Sequence, residues 1–287
     1  IVVFLMLQLV PGDPAEIFLG EKRSTPELLE QVRHDMGLDR PLYIQYLSYM
    51  GNVVRGDLGT SLFNNQPVVG QIVTALPYTL TLALSALLIS TVLGVGLGII
   101  SALKHNTWID SLAMGFALLG VSMPVFWLSM LLILLFSVNL KWFPPMGQGS
   151  LDRLVLPALA LGLLSSATLA RLVRSSMLDV LSDDYIRTAR AKGLRRNTVV
   201  IRHALRNALI PAVTVMGLQF GGLISGAVIT ETIFARVGLG RMYVESILNK
   251  DITMIQGLTL VLAIIIMSIN ILVDLSYAVL DPRIRYE

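Results

Sequence analysis

Five stretches of this 287-residue chain are apolar for too long to be core helices of a soluble domain. A helix rises 1.5 Å per residue, so about 20 residues cross the roughly 30 Å hydrocarbon layer of a bilayer. The stretches 76–103, 111–138, 154–173, 209–234 and 256–280 all reach that length. They are rich in Leu, Ile and Val, and lipid offers no partner to open strand edges, so each predicts a transmembrane helix. Pro124 falls inside the second and predicts a kink there. A composition of 54% hydrophobic and only 14% charged residues fits the same class.

Ahead of these lies a shorter run, residues 1–10, about half a bilayer long. The chain opens on Ile1 rather than methionine, and no small-residue cleavage pattern follows the run. The expectation is therefore a truncated first span, which makes six in all. The net charge of +3 has a membrane explanation and calls for no nucleic acid. Absence of cysteine excludes disulfides, thiol nucleophiles and Cys-based metal sites.

Lys and Arg in short loops set the orientation. Segment 174–208 carries Arg174, Arg187, Arg190, Lys192, Arg195, Arg196, Arg202 and Arg206, which places it in the cytoplasm. By alternation both termini lie inside and residues 11–75 lie outside, where Asp13, Glu16, Glu21, Glu27, Glu30, Asp35, Asp39 and Asp57 outweigh the basic residues. The domain reading is then 1–10 (end of the first span), 11–75 (external helical region), 76–280 (transmembrane domain) and 281–287 (cytoplasmic tail). Within the external region, Thr25 as N-cap, Pro26 at the first helical position and Gly37 as the stop predict one short helix. A second is expected over 42–54, between Pro41 and Gly56.

The inner loop is the segment with functional content. Ser182 reads as an N-cap, Asp183 and Asp184 occupy the first turn, Arg190 and Lys192 the last, and Gly193 the stop. That predicts a helix of roughly ten residues, about 15 Å long. Ala189 and Ala191 keep its surface low, so a partner can approach. Asn197 reads as the cap of a second helix, and Pro211 opens the next span. The plainer alternative is a basic loop that only meets lipid headgroups.

The order of residues speaks against that alternative. Tyr185, Ile186, Arg187, Thr188, Ala189, Arg190, Ala191, Lys192 and Gly193, followed by the string 203–211 (HALRNALIP), resemble the coupling loop of ABC importer permeases, specifically the dipeptide/oligopeptide/nickel family. Further likenesses are Leu9 to Pro14 (LVPGDP), Leu38 to Leu42 (LDRPL), Gly56 to Gly59 (GDLG), Phe234 with Gly238 to Arg241 (GLGR), and Asp281 to Arg285 (DPRIR). They span nearly the whole chain. One departure is Thr188, which stands where the general importer motif has glutamate.

The resemblance implies an all-α integral membrane protein with the type I importer permease fold. It implies a homologous second permease subunit, two ATPase subunits docking on 183–193, and an extracytoplasmic solute-binding protein, all at the cytoplasmic membrane. It implies import of di- or oligopeptides or similar solutes, with glutathione or nickel complexes as alternatives. The chain itself is not an enzyme and binds no cofactor; ATP and Mg belong to the ATPases. Independently, no G-x-x-x-x-G-K-[ST] phosphate loop occurs in the sequence.

Elsewhere, Gly217/Gly221, Gly222/Gly226 and Gly94/Gly98 have the four-residue spacing of close helix packing. Gly221, Gly222, Ser225 and Glu231 are candidates for the translocation path or a gate, with packing and anchoring as the plainer roles. Glu231 is expected near the outer end, within reach of water, and Asp274 near the inner end. His34, His105 and His203 all fall outside the spans, so neither a metal site nor a catalytic dyad assembles in the membrane. A stand-alone secondary transporter would need internal pseudo-symmetry or buried ionisable residues. An intramembrane hydrolase would need a catalytic set.

Overall fold

A computed structural model describes residues 4–5, 15, 19, 25–35 and 37–280, with the side chains of Asp35, Asp274 and 276–280 excepted. The run 1–10, the LVPGDP turn and the tail 281–287 lie outside or almost wholly outside this set. The described residues are overwhelmingly helical and contain no strand, only an isolated bridge between Thr60 and Pro67. The chain divides into two compact units, residues 1–77 with 241–265 and residues 78–240 with 266–287.

The first unit holds the predicted external helices. Helix α1, Pro26–Asp35, begins where the Thr25 hydroxyl accepts the Leu28 N–H at 3.4 Å, and Gly37 follows at φ +68°. Helix α2, Leu42–Val54, runs between Pro41 and Gly56 as expected. The turn at 57–67 is tied to the later part of this unit by buried Asp251. That carboxylate accepts the Ser61 hydroxyl and the N–H groups of Leu62 (3.1 Å) and Met254 (3.1 Å).

Among the described residues, four helices are long and apolar enough to cross a membrane: α3 (Val68–Leu103), α6 (Asp152–Ser182), α10 (Ile210–Ile233) and α12 (Ile252–Leu280, of which Ile252–Val273 counts as the span). Three are longer than their hydropathy edges suggested, α12 by four residues at its start. Helix α3 starts eight residues early, so Pro77 sits inside it. Helix α6 continues past Val173 to Ser182, taking the first nine residues of the expected loop into its last turns.

The second predicted span differs most. Pro124 does not kink it but breaks it, into α4 (Trp108–Ser122) and α5 (Val125–Leu132), which meet at 107° and continue as a π-helical segment, Ile133–Asn139. The cause is local. Proline excludes the helical region for the residue before it, and Met123 takes φ −101°, ψ 132°. The broken pair still traverses the unit. Asp110 at its start meets Arg174 near one end of α6, and Gly147 just past its end donates its N–H to the Phe234 carbonyl at 2.8 Å, beside Arg236, which reaches Arg153 at the other end of α6.

Helix α6 is the hub of the second unit, and glycine lets its neighbours approach. A Cβ at Gly94 or Gly98 of α3 would stand 2.8 and 2.7 Å from the carbonyl oxygens of Ser166 and Ala170, and one at Gly120 of α4 2.7 Å from that of Leu163. On α10, Gly217 packs against Val273 and Gly226 against Leu161, whereas a Cβ at Gly222 would meet open space.

Candidate functional site

Helix α6 delivers the chain to α7, Asp184–Ala191. Asp183, not Ser182, is its N-cap residue; Ser182 still belongs to α6 and turns its hydroxyl back to the Asp179 carbonyl at 2.7 Å. Gly193 supplies the stop at φ +77°, donating its N–H to the Arg190 carbonyl at 3.0 Å. The helix is therefore shorter than the ten residues expected. The following segment also differs. Arg195 precedes a single turn, α8 (Arg196–Thr198), so Asn197 is inside a helix rather than capping one. A π-helical segment, Val199–Ala204, and α9 (Leu205–Ala208) then lead into α10, with Pro211 in its first turn.

Helix α7 has two distinct faces. Ile186 and Ala189 are buried in a cluster with Ala102, Val173, Met177, Val199, Val200 and Ala204. Ala189 thus clears space for its own chain, not for a partner, and this corrects the role read from the sequence. The exposed set is Asp184, Tyr185, Arg187, Thr188, Arg190, Ala191, Lys192 and Gly193. The Arg187–Asp184 ion pair at 3.3 Å is solvent-exposed and of little energetic weight. Tyr185 ties the helix to the lead-in of α10, its hydroxyl accepting the Asn207 side-chain amide at 2.8 Å and pointing to the His203 carbonyl at 3.5 Å.

Close to α7 lies a cluster that the sequence did not disclose. Buried Asp110 of α4 receives a two-pronged guanidinium from Arg174 of α6, both bonds 2.8 Å, together with the Ser101 hydroxyl of α3 and the Asn106 N–H at 3.1 Å. The His105 ring stands 3.3 Å from the same carboxylate. One carboxylate thereby pins the same end of three spans. Arg174 had read only as a loop cation, and a separation of 64 positions leaves no spacing signal for the pair.

At the opposite end of the unit, Glu231 is fully buried rather than within reach of water. Its carboxylate accepts the Thr79 hydroxyl at 2.6 Å and the Gly240 N–H at 2.8 Å, while Thr79 accepts the Leu239 N–H at 2.8 Å. Burial pulls the nearby Arg236 guanidinium below the usual arginine range, with Glu231 and Tyr78 acting in the opposite sense. The four path candidates do not share a face. Gly222 and Ser225 are exposed with Leu218 and Ile229 along one side of α10, whereas Gly221 and Glu231 point inward. Asp274 falls among the undescribed side chains.

The arrangement of spans is that of ABC-transporter membrane subunits. It superposes on an inward-facing methionine ABC transporter structure (MetNI) with a TM-score of 0.63 over 73% of this chain and 96% of that one, at 17% identity. An amino acid ABC transporter structure matches with a TM-score of 0.56 over 72% and 92%, at 16% identity. Residues 94–286 match the family described as binding-protein-dependent transport system inner membrane component, and residues 1–83 match its N-terminal counterpart. The chain belongs to this family, and it is a multi-pass permease subunit of an ABC importer.

Similar proteins include the di/tripeptide transport system permease protein DppB of Pseudomonas aeruginosa, 42% identical across all of this chain and 94% of the relative. The glutathione transport system permease protein GsiC of Escherichia coli is 43% identical, again over all of this chain and 94% of the relative.

Proposed function

We propose that this permease imports short peptides and is driven by two ATPase subunits that dock on α7. The supporting observation is the division of labour on that helix. Ile186 and Ala189 fix it to the base of its own spans, leaving a basic, low outer face of Arg187, Thr188, Arg190, Ala191 and Lys192 for a partner. A headgroup-facing loop has no need of such an anchor.

In this reading segment 174–208 and both termini are cytoplasmic, and residues 11–75 lie outside, where a solute-binding protein delivers cargo. A second, homologous permease subunit completes the path, and Gly222 and Ser225 on the open face of α10 contribute to it. ATP and Mg are bound by the ATPases and not by this chain. The relatives support peptide cargo in two ways. One is named for di- and tripeptides, the other for glutathione, itself a tripeptide. Glutathione is accordingly the second candidate.

The test is co-purification of the ATPase subunits with the tagged permease. Arg187→Glu with Arg190→Glu, and separately Ala191→Trp, should each lower recovered ATPase at least five-fold at fixed salt while the permease still inserts. Undiminished recovery, or transport by this chain reconstituted without an ATPase, refutes the reading.

A further inference from the structure

The break between α4 and α5 lies at mid-membrane depth. Gly120, two residues before the end of α4, abuts the carbonyl of Leu163 on α6. The apolar stretch of α6 is bracketed by Arg153 and Arg171, and at 1.5 Å per residue Leu163 stands about 15 Å from the first and about 12 Å from the second. The chain therefore leaves helical geometry in the middle of the hydrocarbon layer, far from either headgroup region.

A helix end leaves its last carbonyls without intrahelical donors. Among the described residues no backbone or side-chain donor meets the carbonyls of residues 120–123. The Ser122 hydroxyl turns back to the Leu118 carbonyl at 2.9 Å and leaves the others open. Ser122 and Pro124 are exposed and Met123 half-exposed, so neighbouring helices of the chain do not cover the break. Lipid tails cannot satisfy these groups, and irregular backbone at this depth persists only inside protein or beside water.

We propose that residues 122–124 form part of the wall of the water-filled translocation path, with the carbonyls of 120–123 facing its lumen. Water solvates them in the resting state. A passing solute with N–H donors meets a row of acceptors, which suits an amide-bearing cargo and gives an apolar or purely anionic one nothing to bond. The break thus does two jobs at one place: it hydrates the middle of the path and offers it acceptors whose direction is fixed by the backbone.

The 287 residues contain no cysteine, so each single-cysteine variant is read against the same assembled importer without the added thiol, which gives the background of its partners. Ser122→Cys and Met123→Cys are compared with Leu88→Cys, which lies at similar depth on α3 and is exposed on an unbroken helix. A charged, water-soluble methanethiosulfonate reagent should modify the first two at least ten-fold faster than the third, either without nucleotide or with ATP trapped by vanadate. Reaction no faster than at Leu88→Cys in both states overturns the proposal, as does a cross-link from Ser122→Cys to the second permease subunit with no reagent access. Reagent access does not depend on docking at α7, so this result stands or falls separately from the ATPase pull-down.

Discussion

The hydroxyl of Thr79 lies 2.6 Å from the carboxylate of Glu231, joining residues 152 positions apart at one end of the second unit. Thr79 also accepts the Leu239 N–H, so one small side chain closes a relay from α3 through the end of α10 to the first residues of α11, Leu239–Leu248. The bond is buried on both sides. Thr79→Val keeps the shape and removes the relay, leaving a buried carboxylate short of a donor at a cost of about 1–3 kcal/mol. The melting temperature of the detergent-solubilised protein should fall, and Thr79→Ser should restore most of the loss.

Gly238 and Gly222 make opposite forecasts. A Cβ on Gly238 would stand 2.0 Å from an oxygen of the Glu231 carboxylate, a group held in place by two hydrogen bonds, whereas one on Gly222 meets nothing within 4 Å. Gly238→Ala should destabilise by about 1–3 kcal/mol, the usual cost of overpacking. Gly222→Ala should leave the melting temperature unchanged. Parallel thermal scans of the two variants decide the matter.

The Asp110–Arg174 pair should behave as a buried ion pair with one half-open side. Asp110→Ala leaves the guanidinium beside a lost partner and frees the Ser101 hydroxyl and the Asn106 N–H as well. Removing one member of a buried pair typically costs about 3–5 kcal/mol, less here because Arg174 retains some water. Joint replacement, Asp110→Leu with Arg174→Met, should recover part of the stability lost by either single change. A double change as damaging as the sum of the two would contradict this.

Gly193→Val tests the stop of α7. Valine at φ +77° carries a strain of about 1–2 kcal/mol, yet no atom lies within 4 Å of its Cβ. The expected outcome is normal expression and insertion with reduced transport, because only the path of the chain after the helix changes. Failure to insert would show that the residue acts in folding.

The legible parts of this protein were those governed by local rules. Helices α1 and α2 followed from Thr25, Pro26, Gly37, Pro41 and Gly56, because caps and stops act within a few residues. Hydropathy placed the spans but not their ends, since α3 and α6 continue as helix beyond the apolar window. Pro124 announced a disturbance, but its size depended on the extended backbone of Met123 and on what α6 would accept. The glycine pairs promised close packing, which Gly94, Gly98 and Gly217 provide; which glycines would face open space depended on helix rotation. Asp110 with Arg174, and Glu231 with Thr79, were invisible because their partners are set by tertiary contact. Ala189 was assigned to the wrong face of a helix too short to show its own periodicity.

The inward grip of Ile186 and Ala189 bears on how such loops can be exchanged between transporters. A transplanted 184–191 helix would arrive without Val199, Val200 and Ala204, the surface its underside is moulded to. The smallest exchangeable cassette is therefore the whole stretch 183–208, and the receiving spans must also present counterparts of Ala102, Val173 and Met177, or the peg no longer fits its socket.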